Sequence, residues 1–522
     1  MAEHQEIRQS PSRRFPLLLL SLLAGALYPL GFAPFDWWPL SIVSVAFIFF
    51  LWERSDRVTA LWAAVVYGVA VYGAGVSWVY VSMVNFGNMA PLMAVIAVML
   101  FALYLSLYFV VLVLVYRWLA PRFGLRQRFT LVLPLLWVLF EILRGTLLSG
   151  FAWLYLGYIA VDTWFTGWAP IAGVSGVSFV LAWLCGLLAW LAACRQDTQR
   201  EAAKPGGQNS RLYMQALAGV GAVLAISWGL NQVSWAKPTG ERVEVTLIQA
   251  DIPLAQKWRP ENRENLMQTY LAASRAILET DLIVWPEAAL PMALGEVPER
   301  YLNERRDLDA SLVFGAIERE AAAYGVFNSL VALNRDGSGE LQTYRKRHLV
   351  PFGEFFPYKP LLGWLFETLN IPMSDFTAGG AEQGNVQING MRMVPTICYE
   401  DAYPEDWRHQ VADAQAIINI SEDAWFGDSL APHQRLQMAR MRAIEFQRPL
   451  IRVSNSGLST VIDDRGQVDA ISPQFQPALF TAPVFPLQGE TPYAKFGRWP
   501  LWAWILACLL FAGWRSFSSR RS

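Results

Sequence analysis

Met391-Arg392-Met393-Val394-Pro395-Thr396-Ile397-Cys398-Tyr399-Glu400-Asp401 reads as a short apolar strand that runs directly into a cysteine followed by two acids. A strand that ends in a polar side chain is how an α/β scaffold presents a site. Cys398 is also the only cysteine outside the hydrophobic segments; Cys185, Cys194 and Cys508 lie within or at the ends of such runs. A lone thiol of this kind is either a small buried apolar group or a reactive one. Its place at the strand end, beside Tyr399, Glu400 and Asp401, favours the second. Two neighbouring acids oppose a thiolate by like charge. A nucleophilic Cys398 therefore calls for a dedicated base and a nearby cation.

Outward from that strand the chain has two textures. Its 522 residues are 54% hydrophobic and 16% charged, with 23 Trp and a mean hydropathy of +0.28. Soluble domains carry roughly 25% charged residues, so the balance predicts an integral membrane protein. A net charge of −1 gives no bulk electrostatic reason for a nucleic-acid partner. No CxxC pair occurs, and His4, His348, His409 and His433 are scattered, which argues against a structural metal site.

The apolar texture fills the first half. Arg8, Arg13 and Arg14 precede a run that begins at Phe15, the opening of a signal peptide. The hydrophobicity then continues in blocks to about residue 230, so the first block reads as a retained helix. Runs near 15–33, 36–52, 58–82, 89–116, 129–149, 170–194 and 212–230 suit a hydrocarbon core of about 30 Å; an eighth lies near 498–514. With the N-terminus cytoplasmic, the inner segments carry Arg8, Arg13, Arg14, Arg54, Arg57, Arg117, Arg122, Arg126, Arg128, Arg195, Arg200, Lys204, Arg211, Arg515, Arg520 and Arg521. The short outer loops near 34–35, 83–88 and 150–169 carry no Lys or Arg. That asymmetry predicts eight spans with block 231–497 outside the cytoplasm.

Two features of the apolar half go beyond spanning. Glu141 and Arg144 are three apart on one helix face, and charges at that depth are paired or functional. The bland expectation is a structural ion pair facing the bundle interior. The loop Gly150-Phe151-Ala152-Trp153-Leu154-Tyr155-Leu156-Gly157-Tyr158 is aromatic and uncharged, which suits either an interfacial anchor or the lining of a lipid-chain entry.

After Leu230 charges return and strands alternate with helices. Glu241–Ala250, Asp281–Trp285, Ser311–Ile317, Asn328–Asn334, Met391–Ile397, Ala416–Ile420, Leu450–Val453 and Leu458–Ile462 read as strands. Glu261–Glu279 and His433–Phe446 read as helices, the latter carrying Arg435, Arg440 and Arg442. Asp336-Gly337 and Asn455-Ser456-Gly457 read as turns. The pattern predicts an α/β domain at 231–497, between a membrane domain at 1–230 and a final helix and tail at 498–522.

Candidates for the missing base and cation lie in that domain. Trp285-Pro286-Glu287 places a carboxylate just past a buried strand, a water-poor setting that suits it to accept a proton. Tyr344-Arg345-Lys346-Arg347-His348-Leu349-Val350-Pro351-Phe352-Gly353-Glu354 is a basic patch entering a Pro/Gly loop. There Lys346 can offer an ammonium to an oxyanion and Glu354 can orient a neighbour. Read singly, each also fits a capping glutamate or a solvated turn.

Taken in order, WPE at 285–287, YRK at 344–346 and ICYED at 397–401 resemble the Glu-Lys-Cys triad of the nitrilase, or carbon–nitrogen hydrolase, superfamily over roughly residues 242–480. The resemblance implies an α-β-β-α sandwich, a cysteine thioester intermediate, Glu287 as general base and Lys346 as oxyanion stabiliser. With the membrane half added, nearly the whole chain resembles the apolipoprotein N-acyltransferase family. Lys346–Glu354 is similar to that family's KxHLVPFGE signature, with Glu354 in the place of its second essential glutamate. Tyr399 and Glu400 match the residues after its nucleophile. Gln256-Lys257-Trp258 is similar to the segment bearing its substrate-contacting tryptophan, and Trp153 in the outer loop is a second expected substrate-binding residue. Ala152 departs from the proline common there.

The resemblance implies transfer of a fatty acyl chain from a phospholipid to the α-amino group of a diacylglyceryl-cysteine on an apolipoprotein. It also implies a bacterial inner-membrane location with the catalytic domain in the periplasm, and no cofactor or metal. From the residues alone, a membrane-tethered amidase or nitrilase and a transporter with a binding domain stay open.

Overall fold

The computed structural model describes residues 11–200, 208–277, 279–298, 301, 308–320, 325–335, 341–357 and 375–518. The expectations placed on His4, Arg8, Lys204, Arg520, Arg521 and the Asp336-Gly337 turn lie outside the described residues. The chain divides into two compact units. One comprises Met1–Tyr80, Ala90–Val233 and Arg498–Ser522; the other comprises Val81–Met89 and Ser234–Gly497.

The first unit is helical. Five of its segments are long and apolar enough to cross a membrane: Arg14–Gly31, Arg57–Gly75, Pro91–Arg122, Trp164–Asp197 and Leu212–Asn231. The other expected blocks give shorter helical stretches. Block 36–52 forms a helix of 17 residues, Trp38–Arg54. Block 129–149 becomes a π-helical turn at Arg128–Val132 followed by a 12-residue helix, Leu133–Arg144. That helix stops at Gly145, after which Leu148, Ser149 and Gly150 all take positive φ. In block 498–514 the apolar stretch is Trp499–Cys508. The expected single span at 58–82 is two helices, Arg57–Gly75 and Trp78–Asn85, because Val76 leaves helical geometry after the glycine.

Small residues let these helices approach closely. A Cβ on Gly25 would lie 2.5 Å from the Tyr67 carbonyl oxygen, and one on Gly68 would lie 2.6 Å from the Ser106 Cβ. Trp52, Tyr67, Phe109 and Trp137 fill the interior with edge and tilted ring contacts.

The second unit is built on strands β1 (Ala236–Pro238), β2 (Val243–Gln249), β3 (Leu282–Val284), β4 (Leu290–Ala293), β5 (Ser311–Glu320), β6 (Gly325–Leu333), β7 (Gln342–Arg345), β8 (Val386–Ile388), β9 (Met391–Ile397), β10 (Ala416–Ser421), β11 (Leu450–Ser454), β12 (Thr460–Ile462), β13 (Val468–Ile471), β14 (Ala478–Val484) and β15 (Leu487–Gly489). One sheet runs β14-β2-β3-β5-β6-β7, with β4 beside β5; the other runs β13-β12-β11-β10-β9-β8. The central strands are parallel in both: β2, β3 and β5 in the first, and β9, β10 and β11 in the second.

Each sheet has a helix on one face. Leu266, Met267, Tyr270 and Leu271 of the Arg263–Arg275 helix pack on Ile248, Ile283, Leu312 and Phe314. Leu436, Ala439, Ala443 and Phe446 of the Leu430–Phe446 helix pack on Val394, Ile417, Leu450 and Ile462. The sheets meet through their other faces, β6 against β8 and β9, and β2 against β11. Polar stitches join them there: Ser459 and Ser472 both donate to the Gln249 Oε1, at 2.7 and 2.8 Å. The result is an α-β-β-α sandwich, and the strand ends of both sheets supply the site.

Candidate active site

Glu287 follows β3. Trp285 N–H donates to the Val313 carbonyl at 2.8 Å, which keeps the chain on the sheet up to Pro286. The backbone then turns, with Ala288 at φ 47°. That turn presses on β5 at Gly315, where a Cβ would lie 2.6 Å from the Glu287 Cα. A glycine is needed at 315 for the acid to sit where it does. Lys257 completes the support: its ammonium donates to the Glu287 carbonyl at 2.9 Å and to the Glu422 carboxylate at 2.6 Å.

Lys346 is the first residue past β7 and is 1% exposed. Its backbone is held on both sides, by the Asn328 carbonyl at 2.8 Å and the Gly379 N–H at 2.7 Å. Its ammonium donates to Glu354 Oε1 at 2.8 Å and lies 3.5 Å from Glu287 Oε1. Asn328 Nδ2 bridges the same two carboxylates, at 2.7 Å to Glu287 and 3.0 Å to Glu354. Burial alone would push the Lys346 ammonium down; the Glu354 and Glu287 carboxylates and the Cys398 thiol outweigh it and hold it above the usual lysine range. Lys346 is therefore a fixed cation.

Cys398 caps β9 at φ 51°, a left-handed conformation that L-residues seldom adopt. Such strain persists where surrounding structure enforces it. Here Asn419 Nδ2 donates to the Cys398 carbonyl at 3.1 Å, and the N–H of Ile397 donates to Glu400 at 2.7 Å. Glu400 is a strut between the two functional loops. Besides Ile397 it accepts from Arg347 N–H at 2.7 Å, His348 N–H at 3.1 Å and the Tyr344 hydroxyl at 3.0 Å. It thus fixes the lysine-bearing loop to the cysteine elbow. Burial raises the Glu400 carboxyl; the three backbone N–H groups oppose that.

The Cys398 thiol is 7% exposed. Burial pushes it up to about 11. Arg435 and Lys346 pull it down and Glu287 and Asp423 push it up, so groups from both sheets act on one sulfur. Arg435 Nη1 lies 3.5 Å from the Cys398 Sγ. Arg435 also donates to Ser421 at 2.6 Å, to Asp423, and to Asp401 at 3.3 Å. Arg452 bonds the same two aspartates, each at 3.0 Å.

The structure brings Glu287, Lys346, Glu354, Cys398 and Glu400 together. Tyr399 lies beside them, ring to ring with Tyr403 and His348. Trp258 is 45% exposed, although the preceding Lys257 is fully inside. Trp153 belongs to the helical unit and is 1% exposed, packed between Trp78 and Phe151. Glu141 and Arg144 are both buried in the helical unit, and their hydrogen bonds run mainly to the loop that follows rather than to each other. Arg144 donates to the Phe151 and Trp153 carbonyls at 2.9 and 2.6 Å. Glu141 accepts from Leu156 N–H at 2.7 Å and from Trp137 Nε1 at 2.9 Å.

Lys257, Asn328, Glu422, Asp423, Arg435 and Arg452 escaped the sequence reading as site residues. Ser421-Glu422-Asp423 at a strand end was the available signal for two of them. Among the described residues no group of three or more His, Cys, Asp or Glu is arranged to hold a metal ion.

Residues 24–187 match the family described as apolipoprotein N-acyltransferase N-terminal domain, and residues 244–487 match carbon–nitrogen hydrolase. The chain is 37% identical to an apolipoprotein N-acyltransferase of Methylococcus capsulatus, covering 92% of this chain and 93% of that one. It is 36% identical to that of Nitrosomonas europaea, covering 97% and 98%. Among solved structures it is similar to a CN-hydrolase superfamily protein from Xanthomonas campestris, with 20% identity, a TM-score of 0.36, and coverage of 47% of this chain and 91% of that chain.

Proposed function

The chain belongs to the apolipoprotein N-acyltransferase family, and on that premise we propose that this enzyme moves a fatty acyl chain from a membrane phospholipid to the α-amino group of an apolipoprotein's N-terminal diacylglyceryl-cysteine. The observation that supports the chemistry is the Lys346 ammonium 3.5 Å from Glu287 Oε1, with both groups close enough to act on the buried Cys398 thiol.

Glu287 takes the thiol proton as the Cys398 sulfur attacks the phospholipid ester carbonyl. Lys346, already charged and held by Glu354, stabilises the tetrahedral oxyanion; one fixed donor of this kind contributes about 3 kcal/mol. Glu287 returns its proton to the departing lysophospholipid oxygen, which leaves an acyl thioester on Cys398. The lipoprotein amine then attacks the thioester, yields a proton to Glu287 and carries the acyl group away, and the thiol is restored. The sequence of two half-reactions is ping-pong. A thiol held protonated at neutral pH by burial suits this order, because it ionises only when the base and the ester are both in place.

Both substrates are lipids, which gives a reason for a helical half far larger than one tether. In this reading the chain is a multi-pass protein of the bacterial inner membrane. It has eight spans, a membrane domain at 1–230, a periplasmic catalytic domain at 231–497 and a final helix from 498. The Lys and Arg asymmetry between alternate loops supports that orientation. Trp258, exposed next to the buried Lys257, serves substrate contact, and Trp153 shapes the outer loop of the helical half.

The test supplies the purified protein with phospholipid and a synthetic diacylglyceryl-cysteinyl peptide. Lysophospholipid and a peptide heavier by one acyl group are the expected products. Free fatty acid with an unmodified peptide would make the protein a lipid hydrolase and defeat the proposal.

A further inference from the structure

Lys346 sits on one side of Cys398, but it is already shared between Glu287 and Glu354. On the other side lies a second buried charge system that the triad does not include. Arg435 comes from the Leu430–Phe446 helix, Asp423 follows β10, Arg452 is on β11 and Asp401 follows the cysteine. All four side chains are almost fully buried. Two cations and two anions make this cluster neutral. Burying four charges is justified by stability only when their geometry satisfies them, and such clusters are often no more stable than apolar packing.

The members of the cluster are not equivalent. Arg452 bonds Asp401, Asp423 and Asn419. Arg435 bonds the same two aspartates and, alone of the four, also places an N–H donor 3.5 Å from the Cys398 sulfur. Glu287 and Lys346 face that sulfur from the seven-stranded sheet and Asp423 faces it from the cluster. With Glu354 added, the triad side sums to one negative charge and the cluster side to none. A thiolate forming between them therefore has one hydrogen-bond donor of positive charge that is aimed at it from the cluster side.

We propose that Arg435 is a further catalytic residue, the cation that receives the developing Cys398 thiolate, while Asp401, Asp423 and Arg452 hold its guanidinium in place. When the S–H bond breaks, the proton goes to the Glu287 carboxylate and the electron pair stays on sulfur, where the Arg435 N–H already points. The division of labour is then clear. Lys346 serves the oxyanion on the substrate, and Arg435 serves the sulfur. A guanidinium suits this post because it stays charged when buried. The inference rests on Cys398 being the nucleophile of the proposed transfer.

The test reads the thiol without any lipid. The full-length protein is alkylated with iodoacetamide across pH 7 to 10, and modification at Cys398 is followed by mass spectrometry, separately from the other three cysteines. Arg435→Met should shift the log rate–pH line by at least one unit, a drop of tenfold or more at any pH in that range. Arg435→Lys should restore part of the loss. Because Arg435→Met leaves Asp423 under-partnered, Arg435→Met is also combined with Asp423→Asn, which keeps the cluster neutral; the pair should show a drop in the same direction but smaller, since Asp423 itself pushes the thiol up. Arg442→Met breaks a buried pair with Glu445 on the same helix, 3.0 Å apart, and should leave the line in place.

An unshifted line in a folded Arg435→Met or in the charge-balanced pair would overturn the proposal. So would an equal shift in Arg442→Met. If Cys398 never accepts an acyl group from phospholipid, the transfer reading fails, and that result is independent of the alkylation line.

Discussion

Glu141 with Arg144 in the helical unit, and Glu287 with Lys346 in the sandwich, are both buried acid–base sets, yet their bonds run to different places. Arg144 donates to the Phe151 and Trp153 carbonyls, and Glu141 accepts from Leu156 N–H and Trp137. Three of those four partners are backbone groups of residues 151–156, while the Arg144 guanidinium also lies over the Tyr72 and Tyr155 rings. The two charges fasten the loop that follows their helix. Glu287, Lys346 and Glu354 instead bond to one another and to Asn328, with a thiol close enough to feel them. The difference teaches that burial of a charge does not identify its role. A charge whose bonds end on backbone positions the chain. A charge whose bonds end on other titratable groups beside a buried thiol fits the proton movement proposed above.

The largest expected effects fall on the second set. Cys398→Ser and Glu287→Gln should abolish formation of an acyl-enzyme, read by intact mass after incubation with phospholipid. Normal acylation of Glu287→Gln would erase the distinction drawn here. Lys346→Met should lower the acylation rate by about 10²–10³-fold, the scale of a lost oxyanion donor, with thermal stability reported alongside. Glu354→Gln leaves the ammonium in place but weakens its charge-assisted bond, which is worth about 1.5–3 kcal/mol. Acylation should slow by about ten- to a hundredfold in a single-turnover assay.

Arg144→Met sharpens the comparison from the other side. One buried and one partly buried carbonyl lose their donor, the buried one at about 1–3 kcal/mol, so the unfolding temperature should drop. Alkylation of Cys398 should keep its wild-type pH line in that variant. A displaced line would mean that the loop charges act on the thiol after all.

The pH dependence has a definite sign. Burial raises the Cys398 thiol to about 11, so the thiol is protonated at neutral pH. Its alkylation rate should climb about tenfold per pH unit through pH 7 to 10. A plateau already reached near pH 7 would show a thiolate at rest and remove the need for a base. The smallest effect belongs to Trp258→Ala, a 45% exposed side chain. Stability should change by less than about 0.5 kcal/mol, and any loss of rate should appear only when the peptide acceptor is present.

Much of the sandwich was legible because its central strands are short apolar runs bounded by polar residues. Met391–Ile397 was read to the residue. The strands that were missed, such as β1, β8 and β15, are three residues long. At that length the side-chain period cannot be told from chance, and unlike the all-apolar β3 they carry Lys237, Gln387 and Gln488. β14 alternates half-buried and exposed residues at the sheet edge, and its Pro483 and Ala482 hide the pattern.

Within the site, Glu287 and Cys398 stood out because each follows a strand, and Lys346 because it lies in a basic patch entering a Pro/Gly loop. Lys257 did not, because it precedes an exposed tryptophan and reads as a surface residue. Arg435 did not, because an arginine in a helix normally snorkels to water. Here the Leu430–Phe446 helix is buried along most of its length, so Arg435 and Arg442 are inside. Leu436, Met438, Ala439, Met441, Ala443 and Ile444 leave no continuous polar stripe on that helix, which is the sequence signal that its arginines are not solvated.

In the helical half, the apolar blocks were legible but their ends were not. A run of apolar residues does not reveal the break at Val76 or the stop at Gly145, which depend on local backbone geometry.

The central claim is that the sulfur of Cys398 carries the acyl group between two lipids. The direct measurement is the intact mass of the protein after incubation with phospholipid alone, followed by peptide mapping. The account predicts a mass increase of one acyl chain, located on Cys398, removed by hydroxylamine and absent from Cys398→Ser. An unmodified Cys398 in a preparation that still acylates the peptide acceptor would contradict it.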